Sequence, residues 1–170
     1  GRMPRVIASG GRGTAYEDFC MATRRAKSGD FVLLLVDSED PIPEGTHPWD
    51  HLNRREEDCW TKPAAASPDS AHLMVQCMES WFLADKETLK LFYGPGFNER
   101  SLPANPNIEQ IPKTDVLDGL ENASRNTRKG PYTKGDHSFS ILARIGPEKV
   151  RQRSFFAERL ISTLSRIAAM

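Results

Sequence analysis

The chain has 170 residues, 38% apolar and 27% charged, with 23 basic and 23 acidic side chains. This is the size and composition of one soluble domain, able to bury a core without staples. Zero net charge excludes a whole-molecule field that would draw the chain to nucleic acid or a membrane. Cys20, Cys59 and Cys77 are odd in number and lack C-x-x-C spacing. They argue against a disulfide framework and for a reducing compartment, so a cytoplasmic location is expected. No apolar run approaches the roughly 18 residues of a membrane span and no signal peptide is visible, so no membrane partner is expected.

In chain order, Pro4 to Ser9 reads as a short strand, broken by Gly10-Gly11-Arg12-Gly13. Thr14 and Glu17 have the spacing of a capping box, which predicts a helix over 15–28 with Tyr16, Phe19 and Cys20 as its apolar stripe. Phe31 to Val36 is uninterrupted apolar sequence between turn-formers, too short for a typical helix. It predicts a parallel strand covered on both faces. Strand, helix and strand at these spacings make a βαβ unit. Residues 37–69 carry five prolines and read as a long excursion with one helix over 49–58.

His72 to Met78 is a third strand candidate, followed by helical spacing through Tyr93. Thr114 is placed to cap a helix over 115–125. Asp136 or Ser138 starts another, through Ile145, and the last runs over 154–168. The expected architecture is a single α/β domain over 1–170: a small parallel sheet flanked by helices, with a helical C-terminal part from about 114. So small a sheet for so many helices suggests a further strand upstream of residue 1.

Several groups could carry chemistry. Asp37, Ser38, Glu39 and Asp40 leave the C-terminal end of the Phe31–Val36 strand, where ligands bind in open parallel sheets. Asp37 and Glu39, as alternate residues, can face one way and share a hard divalent cation, with Asp40 beside them. The plainer reading is an acidic, solvated loop. Glu79, where the third strand meets a helix, reaches the same sheet edge if that strand lies beside the second. It would then be a metal ligand or would orient one, or it is simply an acid favoured by a helix N-terminus. A tight turn accounts for Gly10 to Gly13 more simply than a phosphate cradle does, although Arg12 is well placed to meet a phosphate. Arg125, Arg128, Lys129, Lys134, Arg144, Lys149, Arg151 and Arg153 form a basic stretch, so zero net charge conceals a polarised chain. That suits a nucleic-acid backbone or another acidic partner, or else a solvated face. His47 and His51, with Pro48 between them and Cys59 distant, do not make a zinc finger.

Four stretches together resemble a bacterial family known as domain of unknown function 4276. They are Ser9-Gly-Gly-Arg, the strand ending Leu-Val-Asp37-Ser-Glu39, Met-Val-Gln-Cys-Met-Glu79-Ser-Trp-Phe-Leu-Ala-Asp85, and Lys134-Gly with the later Arg-Ile-Gly-Pro-Glu-Lys-Val-Arg. The resemblance spans nearly the whole chain. It implies a Toprim-like (Rossmannoid) fold, in which a glutamate after the first strand and a D-x-D pair after a later one hold Mg2+ for phosphodiester chemistry in topoisomerases, primases and OLD-type nucleases. It also implies an association with ATPases linked to phage defence. Asp37 matches the first acid of the pair and Glu39 occupies the second place. The upstream glutamate, and the strand with a Val-Glu-Gly-like turn that carries it, have no counterpart here.

The resulting expectation is a Mg2+- or Mn2+-dependent nuclease in which Asp37, Glu39 and Glu79 are catalytic and Asp37, Glu39 and Asp40 bind metal. Arg12, Arg128, Lys129 and Lys134 would hold phosphates. The alternative is a non-catalytic module that docks on an ATPase partner or a nucleic acid. A domain binding small nucleotides through the Gly10–Gly13 turn is a third reading.

Overall fold

A computed structural model of the chain describes residues 4–170. Its sheet is open and, among the described residues, two-stranded. Strand β1 (Leu34–Asp37) runs parallel to β2 (Ala71–Met74), in a register from Leu34 opposite Ala71 to Asp37 opposite Met74. Parallel neighbours need a long crossover. Here it is the proline-rich excursion, which contains helix α2 (Pro48–Arg54).

Two expectations about the first strands are corrected. Pro4 to Ser9 forms no strand: Val6 is 86% and Ile7 62% exposed, so strand propensity there gains no packing support. Nor is β1 covered on both faces. Leu34 and Val36 are buried, whereas Leu35 between them is exposed. The sheet therefore has one packed face and one half-open face, and the crossover unit is β1-α2-β2.

Helix α1 (Arg12–Arg25) packs its Phe19 and Thr23 beneath β1. It begins earlier than the capping box suggests: Gly11 is the N-cap, and no side chain caps the helix. The Arg12 guanidinium is instead held by Asp58 and by the Asp37 carbonyl, which anchors the first turn. Helix α7 (Phe155–Ala168) covers β2 and is capped by Ser154, whose hydroxyl oxygen accepts from the Ala157 N–H at 2.9 Å. Phe19, Leu34, Val36, Trp49, Leu52, Leu73, Val75 and Phe156 form the core around the sheet.

A second core begins at Cys77, two residues beyond the first core's Val75. It is assembled from a 3-10 segment (Met78–Ala84) and helices α3 (Lys86–Tyr93), α4 (Lys113–Ser124), α5 (Lys134–Leu142) and α6 (Pro147–Arg151). Phe82, Leu89, Ile108, Val116, Leu120 and Ile141 are wholly buried there. Each such side chain contributes about 2 kcal/mol by leaving water. Thr114 is not the cap of α4; the helix starts at Lys113, after Pro112. Helix α5 begins at Lys134, ahead of the expected Asp136 or Ser138, and this puts Lys134 at the helix mouth. Among the described residues no helix is long and apolar enough to cross a membrane.

Candidate functional site

The two cores meet where the chain leaves β2, and the chemistry-bearing side chains gather at this seam. Asp37 closes β1. Its Oδ1 accepts the Met78 N–H at 2.8 Å, which ties the end of the first strand to the start of the 3-10 segment. The next residue, Glu79, is completely buried. Its Oε1 accepts the Tyr132 hydroxyl at 2.8 Å, while Oε2 is buried with no hydrogen-bond partner. The Lys134 ammonium lies 3.7 Å from Asp37 Oδ2 and 3.6 Å from Glu79 Oε1, so one cation stands between two carboxylates.

This crowding is electrostatically unfavourable for the acids. Burial raises the Asp37 pKa above the ordinary carboxylate value, with Glu79 and Glu39 adding to the rise. Lys134 and the Met78 N–H oppose it without cancelling it. Burial and the Glu79 carboxylate likewise push the Tyr132 phenol far above its ordinary pKa, so Tyr132 is the donor in its bond to Glu79. Tyr132 is itself fixed, because its N–H donates to Ser124 Oγ at 2.7 Å.

The other predicted site residues are placed differently. Glu39 does not simply repeat the direction of Asp37. The chain continues the ladder through Ser38 N–H to Met74 O and Glu39 N–H to Gln76 O, with Glu39 in the left-handed region at φ 66°. The Glu39 carboxylate then pairs with Lys113. Asp40 accepts from Arg55 Nε at 2.8 Å, so its carboxylate is committed away from the pair formed by Asp37 and Glu79. Arg12 is likewise engaged. It grips Asp58 with two nitrogens, donates to the Asp37 carbonyl and lies 4.8 Å from the Trp60 ring centroid. It fastens α1 to the end of β1 rather than offering a free phosphate contact.

The basic stretch divides in two. Arg125 pairs with Glu121, Lys149 with Asp85 and Glu87, and Arg151 with Glu148 and Glu158. Arg128, Lys129, Arg144 and Arg153 have no carboxylate within ion-pair distance among the described residues. Lys129 Nζ and the Arg144 guanidinium lie 4.8 and 5.4 Å from the Phe92 ring centroid. Cations at that range are attracted by the ring's quadrupole.

His47 caps α2 through Nδ1, and His51 Nε2 donates to the Ser38 carbonyl at 2.9 Å, so both histidines are structural. Among the described residues no group of three or more His, Cys, Asp or Glu is arranged to hold a metal ion. A surface cavity of about 470 Å³ is lined by His47, Trp49, Asp50, Asn53 and Trp60 and includes none of the clustered carboxylates.

Sequence reasoning did not single out Lys113, and it reads Tyr132 only as an aromatic that the Gly130–Gly135 loop adds to the basic stretch. Lys113 carries no local signal. Tyr132 is marked only by its place on the Gly130-Pro131 loop two residues before Lys134.

The family model for a domain of unknown function, DUF4276, matches residues 5–165. The chain belongs to this family. Neither a curated protein nor a solved structure matches it. The match spans β1, the 3-10 segment with Glu79, and the Tyr132–Lys134 loop, so the whole carboxylate cluster lies within the family's domain.

Proposed function

We propose that the chain is a Toprim-like, Mg2+-dependent phosphoryl-transfer enzyme, most simply a cytoplasmic nuclease of a bacterial phage-defence system. The observation that carries this reading is the convergence of Asp37 and Glu79 on one ammonium, with Glu79 Oε2 buried and bare. A fully buried carboxylate oxygen without a partner is costly, and a cation satisfies it. Two carboxylates are donors of the kind that Mg2+ or Mn2+ takes, since these hard ions prefer oxygen ligands and keep several waters.

Asp37 and Glu79 would hold the ion. Glu39 stands next to them, tied to Lys113, and Asp40 leaves the proposed ligand set because Arg55 holds it. When bound, Mg2+ activates a water and neutralises charge on the departing oxygen. The chain's own residues supply the rest. Tyr132 fixes the Glu79 carboxylate, while Arg128, Lys129 and Lys134 offer cations to the phosphates of a nucleic acid. The three free cysteines suit a reducing compartment.

A second reading is favoured by a specific observation: Lys134 already supplies a cation to the site, and no group of three metal-ligating side chains is present among the described residues. On that reading the domain is non-catalytic and docks on an ATPase partner or a nucleic acid through its unpaired cations.

The deciding experiment incubates the purified chain with Mg2+ or Mn2+ and DNA or RNA, beside Asp37→Ala and Arg128→Glu. The enzyme reading expects metal-dependent cleavage that Asp37→Ala abolishes. Cleavage that survives Asp37→Ala, or its absence with every substrate, overturns it. Partner binding lost in Arg128→Glu and kept in Asp37→Ala supports the docking module.

A further inference from the structure

We propose that Lys134 is a tethered counter-cation: it holds the cation position between Asp37 and Glu79 and gives up that position when a divalent ion binds. The proposal rests on reading the cluster as a divalent-cation centre.

The geometry around the ammonium supports a temporary occupant. At 3.7 and 3.6 Å, Lys134 Nζ lies beyond hydrogen-bond distance of both carboxylates. Lys149 meets Asp85 at 2.7 Å and Arg55 meets Asp40 at 2.8 Å, so hydrogen-bonded ion pairs do form elsewhere in the fold. Lys134 is stationed by charge and not locked by directional bonds. Its side chain is 59% exposed and projects from the first residue of α5 on a flexible four-carbon stem, so it can swing outward without unfolding anything.

Charge counting points the same way. Asp37 and Glu79 bring two negative charges to the seam, and one ammonium leaves them undercompensated. Glu79 Oε2 is moreover buried without a hydrogen-bond partner. A divalent ion would balance the pair. Lys134, once released, faces solvent just beyond Arg128 and Lys129 in sequence, where an anionic phosphate would approach. Filling of the centre and the freeing of a phosphate contact are then one event.

The test titrates Mn2+ into the full chain and into Lys134→Met and Lys134→Gln by calorimetry, without substrate. Both variants are expected to bind at least about tenfold more tightly, because a competing charge at short range is gone. Without metal their Tm should fall below that of the wild type, and saturating Mn2+ should raise it more than it raises the wild type's. Lys134→Arg keeps the charge and is expected to bind no more tightly than the wild type. In the unmutated chain, Mg2+ should move the Lys134 side-chain NMR signals to those of a free lysine.

Wild-type binding with unchanged or weaker affinity in the variants, or Lys134 signals that do not move with Mg2+ bound, overturns the displacement and leaves the metal reading intact. No binding to any of the chains overturns both. Asp37→Asn should abolish binding in each background, and binding that persists overturns the assignment of the ion to this seam.

Discussion

Tyr132→Phe removes one oxygen from the molecule and tests how the site is held. The ring can stay in place, since Tyr132 is 8% exposed and sits edge-on to Phe82 at 6.4 Å between centroids. What is lost is the hydroxyl donor to Glu79 Oε1. A hydrogen bond to a charged group contributes about 1.5–3 kcal/mol, and the acceptor left behind is buried. With Oε2 already unpartnered, Glu79 would keep only the Lys134 ammonium at 3.6 Å. We expect a loss of about 2–3 kcal/mol, which for a domain of this size lowers Tm by about 5–10 °C. Urea denaturation with midpoint and slope both fitted measures it. A double-mutant cycle isolates the cause: in a Glu79→Gln background the bond is neutral, and the cost of Tyr132→Phe should drop to about 1 kcal/mol. A loss below about 0.5 kcal/mol in the wild-type background, or equal losses in both, refutes the account of Tyr132 as the group that fixes Glu79.

Two further outcomes follow from the titrating groups. Because burial raises the Asp37 pKa in the folded state, the native chain binds the extra proton, and stability falls as pH rises through the interval from the ordinary carboxylate value to the raised one. Asp37→Asn removes that fall. In metal-free buffer it should be more stable than the wild type at pH 7, with the advantage vanishing toward acid; denaturation midpoints across pH check this, and a pH-independent difference would contradict it. Asp85 has the opposite sign. Burial pushes its carboxyl up, but Lys149, the Gly146 N–H and Thr88 outweigh that and bring it down to about 2. Its contribution is complete above the ordinary carboxylate pKa and disappears as pH falls through about 2. Asp85→Ala also removes the side-chain cap of α3, where Oδ1 accepts the Thr88 N–H, so we expect it to cost about 2–3 kcal/mol at pH 7 and much less at pH 2 in a thermal unfolding series.

The sequence by itself determined the local units. Leu34 to Val36 of the apolar run lie in β1, the His72–Met78 candidate shares His72 to Met74 with β2, and the apolar spacing over 154–168 became α7. These are short-range effects of backbone propensity and periodicity, and they are written in adjacent residues. Family membership was legible too, in the blocks around Asp37 and Glu79.

Tertiary structure decided what each charge does. Whether Pro4 to Ser9 forms a strand depends on finding a surface for Val6 and Ile7, and none is supplied. Arg12 and Asp40 look available in the sequence because Asp58 and Arg55, which bind them, lie 46 and 15 residues away. Tyr132 and Lys134 meet Asp37 and Glu79 only because the second core folds the 130–134 loop back onto the end of β1. The interaction of charges falls with distance in space and takes no account of separation along the chain. The acids at the end of β1 were therefore visible from sequence alone. Which of them share a cation, and which are already neutralised, is a property of the folded chain.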